Sequence, residues 1–261
     1  MENWLFSVVA IIYGLFSGTL VNYLSDVLPF RFAINSLPEH RRLDRVLCKN
    51  CRQPYQWSDF IFLRNCTSCG QKRSLRGWII LLLFPIFFVG IWLYPPGRIG
   101  FWPISILLIY LALVTVIDLE HRVIFFITSY FGAVIGLGIG WSLHGLVSTL
   151  LGGIAGFTIM LGLFGLGILF TRVFNKLRRE NYEEDALGYG DVMLTGVLGL
   201  LLGWPGITGG LIVSGLVAGL VSGIYIIVAK LQGNYRIFTP IPLAPFLILG
   251  TLIMFIAAWY F

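Results

Sequence analysis

Eight apolar stretches punctuate the chain, at 4–27, 77–94, 101–117, 123–141, 146–173, 191–203, 208–229 and 243–261. None shows the period-two alternation of a half-buried strand, so the pattern predicts helices throughout. A bilayer core about 30 Å thick is crossed by about 20 helical residues, and most of the stretches reach that length. Residues 191–203 do not, since a rise of about 1.5 Å per residue carries them only roughly 20 Å. A short helix entered through glycines is tolerated at membrane depth where it lines a polar cavity or is buried in protein. Asp191, at its start, is therefore expected to lie recessed in the membrane plane. The one long polar interruption is 30–76. The expected fold is an all-α polytopic membrane protein of about eight transmembrane helices with a small cytoplasmic loop domain. Its parts are a first transmembrane helix at 1–29, the loop domain at 30–76 and a membrane-embedded domain at 77–261.

Composition supports that reading and adds an orientation. The 261 residues are 57% hydrophobic and 11% charged, against about 25% charged in soluble domains. Ten of the Lys and Arg residues fall in 30–76, and Arg122, Arg172, Lys176, Arg178, Arg179, Lys230 and Arg236 fall in loops on the same side. Arg98 alone faces the other way. The positive-inside rule then puts 30–76 in the cytoplasm and both termini outside. Asp118 and Asp191 both land at the cytoplasmic face. The excess of 18 basic over 12 acidic residues is accounted for by topology and contact with membrane lipids, so no nucleic-acid partner is expected. Glu2 precedes the first stretch, which has neither a basic flank nor a small-residue cleavage site, so it is read as a retained helix. The glycines of 132–167 and 196–223 are read as small residues that let helices pack closely.

All four cysteines lie in the polar loop, as Cys48-Lys-Asn-Cys51 and Cys66-Thr-Ser-Cys69 with fourteen residues between. Paired CxxC turns near this spacing form four-cysteine tetrahedral sites with Zn–S bonds of about 2.3 Å. A reducing compartment disfavours structural disulfides, and a loop poor in large apolar residues needs a staple to fold. Cys48, Cys51, Cys66 and Cys69 are therefore expected to bind structural zinc.

The remaining chemistry rests on two carboxyls. Asp118 ends the apolar run Val114-Thr-Val-Ile-Asp-Leu-Glu, and Asp191 follows Gly188-Tyr-Gly190 at the opening of the short helix. An ionisable group at the edge of hydrocarbon is costly and marks a functional site. Two carboxyls about 3 Å apart cannot both ionise, and one then polarises a carbonyl while the other takes a proton from water. That is aspartic proteolysis, with Asp118 and Asp191 as the catalytic pair. Gly188 and Gly190 are expected to form the active-site loop through their permissive φ. Asn22 is read as satisfying a neighbouring helix, and His121 as an interfacial residue and not a base.

These segments resemble the type IV prepilin peptidases, GxGD-type intramembrane aspartic proteases, over nearly the whole chain. Gly188-Tyr-Gly-Asp191-Val-Met-Leu is similar to the family's GxGD motif, and Ile117-Asp118-Leu-Glu to its first aspartate segment. Gly18-Thr-Leu-Val-Asn22 through Leu28-Pro29, the paired CxxC loop and Ile241-Pro-Leu-Ala-Pro245-Phe resemble further family segments. The resemblance implies that 77–261 is a membrane aspartic peptidase domain. It implies removal of a short basic leader from prepilin-like or pseudopilin substrates at the cytoplasmic membrane of a bacterium. Many members also methylate the new N-terminus with S-adenosylmethionine. Val27 stands where the family usually has Arg, the Arg73-Ser-Leu-Arg stretch lacks the family's Glu, and Ile124-Phe-Phe replaces Ile-Pro-Asp.

Glu180, Glu183, Glu184 and Asp185 precede the GxGD loop. Such an acidic strip is suited to attract a basic leader. Two other classes could use the same features: a transporter or ion pathway with intramembrane carboxylates, and a non-catalytic assembly factor. A transporter predicts repeated halves and carboxyls near the midplane, whereas here they cluster at one face with no repeat.

Overall fold

The computed structural model describes residues 2–33, 48, 50–51, 53, 55, 57–61, 63–72, 74–94, 99–178, 188–233 and 242–260. These residues form eight helices and no strand. They are α1 (Glu2–Ala33), α2 (Trp57–Ile61), α3 (Leu75–Leu93), α4 (Phe101–His121), α5 (Phe126–Arg178), α6 (Tyr189–Leu202), α7 (Gly206–Leu231) and α8 (Ala244–Tyr260). Five spans are long and apolar enough to cross a membrane, and α6 and α8 are shorter apolar helices. The chain divides into two compact units, Met1–Ile117 and Asp118–Phe261.

In the first unit α1 packs along α3. Gly14 permits it, because a Cβ there would lie 2.6 Å from the Pro85 Cα. Val21, Ile80, Phe84 and Phe88 form the buried centre, with Tyr13, Phe101 and Val116 against it. Aromatic rings close the cluster, Tyr13 stacking on Phe88 at 5.1 Å. The polar loop is tied to the C-terminal half of α1. Phe60 of α2 meets Tyr23 edge-on at 5.3 Å, and Arg76 pairs with Asp26 at 2.6 Å. Asn22 donates to the Gly77 carbonyl of α3 at 3.2 Å. It satisfies a neighbouring helix, as its sequence context suggested.

The second unit is organised around α6. The apolar run of α5 covers 48 residues, about 72 Å of helix, more than twice the hydrocarbon thickness. It breaks at Gly145, where φ is 78° and ψ is 163°. Contacts with α6 give the course of the two halves. Gly136 approaches Val197 and Gly140 approaches Leu200, so the first half runs parallel to α6. Gly152 approaches Gly199 and Gly156 approaches Thr195, so the second half runs antiparallel. The chain therefore doubles back at Gly145, and eight apolar helical segments result, as hydropathy predicted.

Backbone touches backbone along this seam. A Cβ on Gly152 or on Gly199 would collide with the other residue, and one on Gly156 would sit 2.6 Å from the Thr195 carbonyl oxygen. Close approach explains Gly136, Gly140, Gly152, Gly153 and Gly156 of α5 and Gly190 and Gly199 of α6. It does not extend to Gly162, Gly165, Gly215, Gly219 or Gly223, where a Cβ would meet nothing within 4 Å.

Candidate active site and metal centre

Asp118 occupies the last turn of α4 and is 4% exposed. Its Oδ2 accepts a hydrogen bond from the backbone N–H of Ala244, the first residue of α8, at 3.1 Å. The helix ends just beyond it. Arg122 takes the left-handed conformation, φ 54°, and its N–H donates to the Asp118 carbonyl at 2.8 Å. This turn leaves the Arg122 guanidinium within electrostatic reach of the Asp118 carboxyl. Glu120 and His121 are exposed, 3.9 Å apart, in keeping with an interfacial His121.

Asp191 lies in the first turn of α6. Gly188 precedes the helix and has no side chain to cap it, so the carboxylate supplies the only capping arm. Asp191 Oδ2 accepts from the Gly188 N–H at 3.3 Å, and the Asp191 N–H donates to the Gly188 carbonyl at 3.1 Å. A carboxylate is favoured in this position by the unpaired N–H groups and dipole of the helix start. Thr195 donates to the Asp191 carbonyl at 2.7 Å. Asp118 and Asp191, 73 residues apart in sequence, are brought near enough for the charge of one to act on the other.

The glycines work differently from the sequence expectation. Gly188 has φ −85° and ψ 143°, an extended conformation open to any residue, and Gly190 is helical. Neither needs a positive φ. Gly190 is instead required by space, since a Cβ there would lie 2.7 Å from Ile124 Cβ and 3.3 Å from the Ile124 carbonyl oxygen. At Gly188 the nearest atom to such a Cβ is Asp191 Oδ2 at 3.5 Å, an ordinary contact. Tyr189, between the two, meets Phe126 and Phe164 of α5 with ring centroids 6.2 Å away in each case. It anchors the entry to α6.

Gly190→Ala should therefore displace the start of α6 from the α4–α5 connection. Overpacking of this kind costs roughly 1–3 kcal/mol. The expected result is a lower thermal midpoint and slower turnover, with Gly188→Ala much closer to wild type in both. Equal effects at the two positions, measured by detergent-solubilised melting and peptide cleavage, would contradict the steric account.

In the first unit the four cysteine sulfurs lie within 4.8 Å of one another. Cys48 and Cys69 Sγ are 3.6 Å apart, and Cys51 and Cys66 Sγ 3.4 Å. A disulfide would need about 2.05 Å, whereas a tetrahedron with Zn–S of about 2.3 Å has edges of roughly 3.8 Å. Both turns have the same backbone form. The Cys48 N–H donates to the Gln53 carbonyl at 2.8 Å, and the Cys66 N–H to the Gln71 carbonyl at 3.0 Å. Gly70, at φ 71°, completes the second turn. A hydrogen bond from Tyr55, helped by the backbone amides of Cys51 and Asn50, holds the Cys48 thiol down to about 6. Amides of Cys69 and Ser68 lower Cys66 in the same way. These donors favour thiolates at Cys48 and Cys66, the form that ligates metal, whereas desolvation and the neighbouring sulfurs push the Cys51 thiol up to about 12. The cluster can hold a metal ion.

Sequence reasoning singled out the aspartates and cysteines and did not single out Ala244 or Ile124 individually. The contribution of Ala244 is a backbone N–H, which no side chain advertises. Glu180, Glu183, Glu184 and Asp185 lie outside the described residues.

Apolar spans around two neighbouring carboxyls, Asp118 buried and Asp191 half-buried, define the class of intramembrane helical proteins with an acidic centre. The family model described as Type IV leader peptidase family matches residues 105–259, and the chain belongs to that family. It is thereby a peptidase. Comparison with curated proteins and with solved structures returns no match.

Proposed function

We propose that this protein is a membrane aspartic endopeptidase that removes the short basic leader of prepilin-like or pseudopilin substrates. The observation that carries the reading is the coupling of Asp118 and Asp191 within the matched region. In the proposed reaction one aspartate is ionised and the other protonated. The carboxylate takes a proton from a water molecule as its oxygen attacks the scissile carbonyl. The acid partner hydrogen-bonds the carbonyl oxygen as charge develops there, and a proton then passes to the leaving amine. Residues 77–261 form the peptidase domain in this reading, with Gly190 holding the Asp191 turn against Ile124.

By the positive-inside rule the aspartates would lie at the cytoplasmic face of the bacterial inner membrane, with both termini outside. Cys48, Cys51, Cys66 and Cys69 would hold structural zinc, which supplies four bonds that close the loop and no step of the cleavage. The acidic strip Glu180, Glu183, Glu184 and Asp185 precedes Gly188 in the chain and would draw the basic leader toward Asp191. Methylation of the new N-terminus by S-adenosylmethionine is a separate proposal, drawn from the family alone.

Proteoliposomes carrying the protein, given a peptide with a basic leader and an apolar continuation, should release a leader fragment. No fragment from a panel of such peptides would reject the reading in favour of a non-catalytic or transport role. Changing all four acids of the strip to Gln and Asn should raise KM several-fold at low ionic strength, with the difference shrinking as salt screens it. An unchanged KM at low salt would reject the strip's role.

A further inference from the structure

The contact between Asp118 and α8 joins residues 126 positions apart, and neither motif accounts for it. The first N–H groups of any helix lack intrahelical partners. In the first turn of α8, Pro245 has no N–H, and Phe246 and Leu247 both donate to the Leu243 carbonyl, at 3.0 and 3.2 Å. That leaves the Ala244 N–H to be satisfied from outside the helix. Ala244 is fully buried and Asp118 is 4% exposed, so bulk water is a poor substitute for either partner. Leu243, just before the helix, has no side-chain oxygen to serve as a cap. The Asp118 carboxylate takes that place, at the positive end of the α8 dipole.

One carboxyl oxygen is thus committed. With Oδ2 held by α8, rotation about the Cβ–Cγ bond is restricted and Oδ1 has one orientation. We infer that the N-terminus of α8, through the Ala244 amide, is a positioning element for Asp118. It fixes Oδ2 so that Oδ1 is the oxygen presented to the water shared with Asp191. This inference rests on the peptidase reading, and it gives α8 a part in the reaction without a side chain of its own. The neighbouring prolines suit the task, since Pro242 and Pro245 restrict the chain on either side of the single donor.

The test removes one hydrogen atom's worth of structure. Replacing the Leu243–Ala244 amide by an ester, with a hydroxy acid inserted at 244, deletes the N–H and keeps the shape. Ala244→Pro does the same by mutation at the first helical position, where proline is favoured. Ala244→Gly keeps the N–H. An ester at Phe246 removes a donor from the same turn that does not reach Asp118.

Loss of a hydrogen bond to a charged, orienting group corresponds to a fall of about 10- to 100-fold in kcat. The expected result is that fall for the 244 ester and for Ala244→Pro, with KM nearly constant. Ala244→Gly and the 246 ester should stay within about threefold of wild type. A 244 ester with wild-type kcat, or equal losses for the 244 and 246 esters, overturns the inference.

A second readout needs no turnover. Infrared spectra of the wild type and the 244 ester, each with its Asp118→Asn counterpart subtracted, isolate the Asp118 carboxyl band. The band should move between the two proteins; an unmoved band overturns the positioning role. A wild type that cleaves nothing sinks the peptidase reading instead, and the infrared comparison still decides this one.

Discussion

Changing either Asp118 or Asp191 to asparagine is expected to lower leader cleavage by about a thousandfold, with little change in stability. The size follows from what the substitution removes. General acid–base transfer contributes about 10²–10⁴-fold, and an amide oxygen can neither take a proton from water nor give one to the leaving amine. The structural contacts are of the kind an asparagine retains. With Asp118→Asn the amide oxygen can still accept from the Ala244 N–H, and with Asp191→Asn from the Gly188 N–H, because both bonds use one acceptor oxygen. The caps on α8 and α6 therefore survive while the chemistry does not. A variant that lost activity together with its melting transition would speak for a structural role of the carboxyl. One that kept more than a tenth of wild-type kcat would remove that aspartate from the reaction.

Removing the metal is expected to have the second largest effect, and to act on the loop and not on the aspartates. Structural zinc supplies about 10–16 kcal/mol of apparent binding free energy in small zinc domains, much of it expressed as folding. Two other features hold the described part of the loop. Phe60, with Tyr55 and Tyr23 around it and Val27 beneath, is its small apolar cluster, and Arg76–Asp26 is its ion pair to α1. Without the metal, the four sulfurs within 4.8 Å of one another lose the cation that would hold the two turns together. Purified protein is expected to carry one zinc per chain by elemental analysis, and Cys66→Ser to carry close to none. Limited proteolysis should then cut the variant within 48–72 while the wild type resists. Zinc-free wild-type protein with a protected loop would contradict the structural-zinc proposal.

How far the sequence reaches can be judged at particular residues. Hydropathy located the apolar helices among the described residues, because apolar character is a property of composition over 20 or so residues. Even the break in α5 was visible, as the gap between the apolar stretches 123–141 and 146–173. The short α6 and the two cysteine turns were legible for similar reasons of length and spacing. The Asp118–Ala244 bond was not, because periodicity records which face is buried and says nothing of which backbone amide meets it. Gly190 was recognised for the wrong reason. Its motif suggested unusual φ, whereas Ile124, across a connection 66 residues upstream in sequence, excludes a Cβ there. The glycines at 162, 165, 215, 219 and 223 look the same in sequence as those in the α5–α6 seam, yet they meet no neighbour. Composition alone cannot separate a packing glycine from an open one.

The central claim is that Asp118 and Asp191 act together on one water molecule. Its most direct test measures leader release by mass spectrometry from proteoliposomes holding wild type, Asp118→Asn, Asp191→Asn and the double variant, with S-adenosylmethionine present. The wild type should release an intact leader, and the double variant should be no slower than either single one, because groups acting as a unit are lost together. A product heavier by one methyl group would establish the second activity in the same spectrum. Losses that multiply in the double variant, or steady cleavage with either aspartate gone, would contradict the paired mechanism.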